Sequence, residues 1–149
     1  MEDWTWGLLL TVLTFIVHAT GIAFMAALAM RIRDRMQSGG AWRHTFAITI
    51  GFIGVVGLLL ATLHGIEAGI WATAYWRLGA LPSPQEAMLY SVDSITTRGA
   101  SGLVLERSWR MMGALEAADG MLLFGISTAF IFAVMQQYAP LLHRHPPPH

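Results

Sequence analysis

Several groups of side chains in this sequence have the types and spacing that chemistry needs. His64 and Glu67 stand three residues apart, so a helix would place an imidazole and a carboxylate on one face. Such a pair can bind a metal ion or exchange a proton, because a neighbouring carboxylate moves a histidine into a useful titration range. Two ligands make an incomplete metal site, however. The expectation is therefore a hydrogen-bonded structural pair, with Arg98 or Arg110 as candidate neighbours, and the proton or metal site is the alternative. Glu116 and Asp119 repeat the same spacing further on. His18 stands alone in its apolar run and is expected to be a satisfied helix-packing residue. The C-terminal stretch His143-Arg144-His145-Pro146-Pro147-Pro148-His149 has metal-binding composition, but a proline-rich end reads as a solvated terminus. Finally, residues 94–102 read SITTRGASG, a polar, glycine-bearing stretch preceded by Asp93.

None of this makes a catalytic constellation. There is no nucleophile with a base at useful spacing, no phosphate loop and no HExxH-type metal helix, so the chain is not expected to be an enzyme. Cysteine is absent, which removes disulfides, thiolate metal sites and Cys nucleophiles together. Net charge is zero and every basic residue is Arg, leaving no basic field for nucleic acid.

The elements that must position these residues are apolar. Of 149 residues, 55% are hydrophobic and only 12% charged, and mean hydropathy is +0.54. Three runs are long enough to cross a hydrocarbon core of ~30 Å, which takes about 20 helical residues. The first, residues 4–30, carries no formal charge and begins at Trp4 and Trp6, which suit an interface. Met1-Glu2-Asp3 lacks the basic start of a secretory signal, so this run is expected to be permanent. Arg31, Arg33, Asp34 and Arg35 close it, and Gly39-Gly40 turns the chain into a hairpin. The second run occupies residues 45–76 and ends in the aromatic cluster Trp71, Tyr75 and Trp76. Its Gly51, Gly54, Gly57, Gly65 and Gly69 offer small faces for close helix packing. The third covers residues 109–137, with residues 138–149 as a short His/Pro tail.

Between the second and third runs lies a segment too polar to span. Ser83 reads as a helix N-cap, with Pro84 at the first helical position and Glu86 in the first turn. A helix over residues 84–97 would be ~20 Å long, the size of a re-entrant half-helix. Irregular backbone after it is tolerable at membrane depth only if buried in protein or lining a watery cavity. The short first loop holds Arg31, Arg33, Arg35 and Arg43 against Asp34, which by the positive-inside rule puts the N-terminus outside and the C-terminus in the cytoplasm. The fold class expected is an all-α integral membrane protein, with residues 1–44 as an added helix and turn before a unit at residues 45–137.

The order of helix, short helix, Thr-Thr-x-Gly turn and helix resembles the pore module of the potassium-channel superfamily. More narrowly, it is similar to small bacterial three-helix members of the two-transmembrane type. The residues that carry the likeness are AMLYSVDSITTRGASG (87–102) and SWRMMGALEAADGMLLFG (108–125), within a match over about residues 46–135. The resemblance implies a homotetramer in a bacterial inner membrane, with lipid, its own copies and inorganic ions as partners. Monovalent or divalent cations would permeate, and no cofactor is implied. Thr96, Thr97, Arg98, Gly99, Ala100, Ser101 and Gly102 would line the filter. Asp119 would face a cation-holding cavity, Gly120 and Gly125 would flex the inner helix, and Glu116 would bond to Arg110 or the short helix.

The filter itself departs from the family pattern. Thr97 and Gly99 match, whereas Arg98, Ala100, Ser101 and Gly102 do not. Ser at a position that needs positive φ is strained, and Ala cannot brace the loop as an aromatic would. Potassium selectivity of the familiar kind is not expected. Arg98 cannot deprotonate, so it must pair, reach water or stay outside the membrane. The expectation is a salt bridge from Arg98 to Asp93 that braces the loop. The alternatives are an Arg98 ring that plugs the pore, leaving a non-conducting scaffold or regulatory subunit, or one that favours anions.

Overall fold

The structure, a computed structural model, describes residues 2–38, 45–99 and 102–142. The described residues form four helices, α1 (Glu2–Ser38), α2 (Thr45–Arg77), α3 (Pro84–Ile95) and α4 (Arg110–Leu142), the last preceded by a 3-10 turn at Arg107–Trp109. No strand occurs among the described residues. Stretches within α1 (Asp3–Arg35), α2 (Ala47–Arg77) and the 3-10 turn with α4 (Arg107–Tyr138) are long and apolar enough to cross a membrane. Helices suit such a setting because every interior backbone N–H and C=O is bonded within its own segment.

α1 runs past the apolar stretch that ends at Met30 because arginine is a good helix former, so Arg31, Arg33 and Arg35 extend the helix to Ser38. Gly39-Gly40 and the residues up to 44 lie outside the described set, as does Arg43. The three long helices pack on one another, and α3 packs against α2 and α4.

Burial follows an inverted pattern that decides the solvent. Phe24 is 70% exposed and Leu58 69%, whereas Thr14, His18, Glu67 and Glu116 are fully buried. Outward apolar side chains along all three helices, with polar groups inside, cost nothing only if the surroundings are apolar too. Inside the bundle, two apolar clusters flank a polar layer. One gathers Leu10, Trp71, Tyr75, Leu81, Leu105 and Met112. The other gathers Met25, Phe52, Leu60, Leu63, Val134 and Tyr138, where the Tyr138 hydroxyl donates to the Ala29 carbonyl at 2.8 Å.

Gly51, Gly54, Gly57, Gly65 and Gly69 do not serve close packing within the chain. A Cβ built on any of them meets no atom within 4 Å. The close approaches occur elsewhere. A Cβ on Gly21 would come within 2.8 Å of Leu63 Cδ2, and one on Gly120 would overlap the Ile95 carbonyl.

Candidate functional site

α3 begins where the sequence places it. Ser83 is extended (φ −137°, ψ 152°), and its hydroxyl accepts the Glu86 N–H at 3.1 Å, with Pro84 in the first turn. One face of α3 is then fastened to its neighbours by hydroxyls. Ser91 Oγ lies between the Ala68 carbonyl, at 2.8 Å, and the Glu116 carboxylate. Ser94 donates to the Gly113 carbonyl at 3.1 Å, and the Ile95 backbone sits against Gly120 of α4.

The helix stops at Ile95 rather than at residue 97, and the cap explains why. The Thr97 N–H bonds the Ser94 carbonyl at 2.9 Å, and the Arg98 N–H bonds the Asp93 carbonyl at 2.9 Å. This is the paired Schellman arrangement, which requires a left-handed residue just after the cap. That residue is Thr97, with φ 56°, where glycine would ordinarily stand. Gly99 (φ 84°) and Gly102 (φ 85°) follow. Thr96 to Gly99 therefore form a folded, exposed turn, not an extended strand. Over it, Arg98 Nη1 lies 2.9 Å from Asp93 Oδ1, with the arginine side chain 68% exposed and the aspartate 1%. Ala100 and Ser101 lie outside the described residues.

The polar layer inside the bundle has three nodes. Glu116 accepts the Tyr75 hydroxyl at 2.8 Å and meets Ser91. Tyr75 in turn meets the Tyr90 ring edge-on at 5.2 Å. Burial pushes the Tyr90 phenol above its ordinary range, and the nearby Glu116 carboxylate adds to that. Asp119 Oδ2 accepts from Thr14 at 2.6 Å and from Trp71 Nε1 at 3.3 Å. In the third node Glu67 reaches two imidazoles. Oε1 lies 2.7 Å from His18 Nδ1, and Oε2 lies 3.0 Å from His64 Nδ1. Ser127 Oγ stands 3.2 Å from His18 Nε2 and 3.1 Å from His64 Nε2.

Several expectations change here. His18 is not a lone packing residue; it completes the His64–Glu67 pair from another helix. The pair's neighbours are His18 and Ser127, not Arg98 or Arg110, because His64 and Glu67 face the bundle interior (8% and 0% exposed). Asp119 is 1% exposed and faces α1 and α2, so it does not look into an open cavity. Its spacing from Glu116 fixes this, since i, i+3 residues share a face. Glu116 meets Ser91 of the short helix α3, one of its two expected partners, and adds Tyr75 of α2 in place of Arg110. Gly120 is a contact point for α3, whereas Gly125 has open space around it. The His/Pro end, from His143 on, lies outside the described residues.

Sequence reasoning missed Ser127 entirely. The available signal was a polar step on each apolar helix: Thr14 and His18 at i, i+4 on α1, and Glu116, Asp119 and Ser127 along one stripe of α4.

Fold and site together define an all-helical chain with three helices able to cross a membrane, a fourth short helix, and a polar layer sealed inside. No family model, curated protein or solved structure matches it.

Proposed function

We propose that the chain is one subunit of a homotetrameric membrane pore that conducts cations passively through a non-standard filter, in a bacterial inner membrane. One observation carries the reading. α3 and α4 start at the same end of the bundle, where Leu81, Ala87, Leu105 and Met112 meet, yet the end of α3 rests on Gly120. Gly120 is ten residues beyond Arg110, the first residue of α4, which is ~15 Å along a helix and about half of a hydrocarbon core. With the apolar thickness taken to begin at Arg110, this reading sets the polar turn Thr96–Gly99, which faces outward from the single chain, about halfway through it. Lipid cannot satisfy such backbone, so other copies and water must cover it.

Two further features support a pore around that turn. A pocket of about 470 Å³ lies beside it, lined by Ile95, Thr96, Thr97, Met121 and Phe124. The glycines of α2 that contact nothing within the chain leave a low outer face for helices of neighbouring copies. Cations fit better than anions because each Arg98 charge is held by an Asp93 carboxylate of its own chain. A folded turn with left-handed Thr97 does not present stacked carbonyls of the potassium type.

The test is ion flux in proteoliposomes, comparing wild type with Arg98→Val. The reading expects wild-type flux whose reversal follows the cation gradient. Reversal following chloride would assign an anion pore, silence relieved by Arg98→Val would assign a plug, and silence in both would remove the pore reading.

A further inference from the structure

His18, His64, Glu67 and Ser127 come from three different helices and close a four-membered ring of polar groups inside the bundle. Its two imidazoles lie 5.1 Å apart between a carboxylate on one side and a hydroxyl on the other. With both imidazoles neutral the ring is one hydrogen short, a deficit that either an added proton or a bound cation would remove. A carboxylate only accepts, so both Nδ1 atoms facing Glu67 must carry protons. Both Nε2 atoms of neutral imidazoles are then acceptors, and Ser127 has one proton to share between them. Neutral imidazoles therefore leave one of the four contacts without a hydrogen. On the carboxylate side His64 Nδ1 and Glu67 Oε2 are 3.0 Å apart and buried but not aligned for a hydrogen bond.

We propose that His18, His64 and Glu67 bind a divalent transition-metal ion, Zn²⁺ by ligand type, with Ser127 orienting both imidazoles. The coordinating atoms of the three residues all lie within 4.8 Å of one another and all three residues are buried. A cation bound to both Nδ1 atoms and the carboxylate resolves the proton count. Each imidazole then carries its proton on Nε2, and Ser127 Oγ accepts both N–H groups with its two lone pairs. The far N–H of a ligating histidine is usually held by an oxygen acceptor that fixes ring orientation and tautomer, a place Ser127 Oγ can take here. Two nitrogens and a carboxylate, with no thiolate in the chain, match zinc's preference. Zinc–ligand bonds of about 2.0–2.2 Å need the 2.7 and 3.0 Å nitrogen–oxygen contacts to open by some tenths of an ångström.

Charge also balances. Asp119 is held by Thr14, one turn before His18, and by Trp71, one turn after Glu67, and its Oδ1 is buried without a hydrogen-bond partner. With Glu67 it supplies two negative charges against a dication, in a setting where uncompensated charge is costly. Phe124 stacks on His64 at 4.1 Å and also lines the pocket beside the α3 turn. The site is therefore one aromatic ring away from an open space, which provides a route for loading. It stands independently of the pore reading.

The test uses the full chain with His143, His145 and His149 changed to Ala and no histidine tag, expressed with zinc and purified in detergent. Metal content is measured by mass spectrometry, and Co²⁺ replacement by visible absorption. The proposal expects about one ion per chain and a Co²⁺ d–d spectrum of low-symmetry, four-coordinate type, with a water completing the three protein ligands. His18→Ala and Glu67→Gln should abolish both. Because a lost ligand can also unfold the chain, Ser127→Ala is the second variant. It keeps every ligand and should weaken binding about 10- to 100-fold in chelator competition, with unchanged helicity. Metal-free wild type with no Co²⁺ spectrum would overturn the proposal in favour of a proton shared by the two imidazoles. Equal affinity in Glu67→Gln and Ser127→Ala would overturn it as well.

Discussion

Removing the Arg98 guanidinium should cost the folded chain about 1–2 kcal/mol, a figure set between two limits. Breaking a fully buried ion pair from one side typically costs ~3–5 kcal/mol, and a solvent-exposed pair is worth ~0–1 kcal/mol. Asp93 belongs to the first case and Arg98, 68% exposed, to the second. Water solvates the guanidinium and screens the pair, which pulls the value well below the buried limit. The carboxylate remains desolvated, which holds it above the exposed one. The cleanest assay is a double-mutant cycle of Arg98→Ala and Asp93→Asn, read as thermal unfolding in detergent by tryptophan fluorescence. Each single variant should lose about 3–6 °C, and the coupling energy should be about 1–2 kcal/mol. Coupling below about 0.5 kcal/mol, the usual noise of additivity, would refute the contact. Coupling above about 3 kcal/mol would refute the solvated arginine, because only a dry pair reaches that value.

Further outcomes follow from the packing of α3. Gly120→Ala forces a Cβ against the Ile95 carbonyl, which is backbone and cannot swing away; the loss should be about 1–3 kcal/mol in equilibrium unfolding. Gly125→Ala, with open space around it, should stay within about 0.5 kcal/mol of wild type in the same assay. Thr97→Gly relieves a β-branched residue at φ 56°, worth about 1–2 kcal/mol, against about 0.5–1 kcal/mol of added chain entropy. A small rise in melting temperature is expected, and a fall would mean that the Thr97 side chain makes a compensating contact. Ser83→Ala removes the α3 N-cap and should cost about 1 kcal/mol, visible as faster hydrogen exchange at Glu86.

The long helices were legible because uncharged runs with aromatic or arginine ends have few alternatives, and Ser83-Pro84 announced the start of α3. The other end of α3 was not, since a Schellman cap with Thr in the left-handed position carries no glycine signal. Which residues share a face of one helix could be read from spacing, as with Glu116 and Asp119. Which helices those faces meet could not. The relative rotation and height of α1, α2 and α4 decide that His18 reaches Glu67 and that Ser127 closes the ring, and neither appears in one-dimensional order. The small faces of the α2 glycines were legible in the same way, whereas their pointing out of the chain rather than at its other helices was not.

The central claim is that the Thr96–Gly99 turn lies on the ion path of an assembly. The cysteine-free sequence allows a direct measurement: single-cysteine variants Thr96→Cys and Thr20→Cys, reconstituted in liposomes, with flux followed before and after a charged, membrane-impermeant thiol reagent. Thr20 is exposed on α1, which does not pack against α3, the helix that carries the turn. The account predicts that labelling residue 96 blocks flux, while residue 20 can be modified or left alone without effect. Undiminished flux with residue 96 fully labelled, as judged by mass spectrometry, would contradict it.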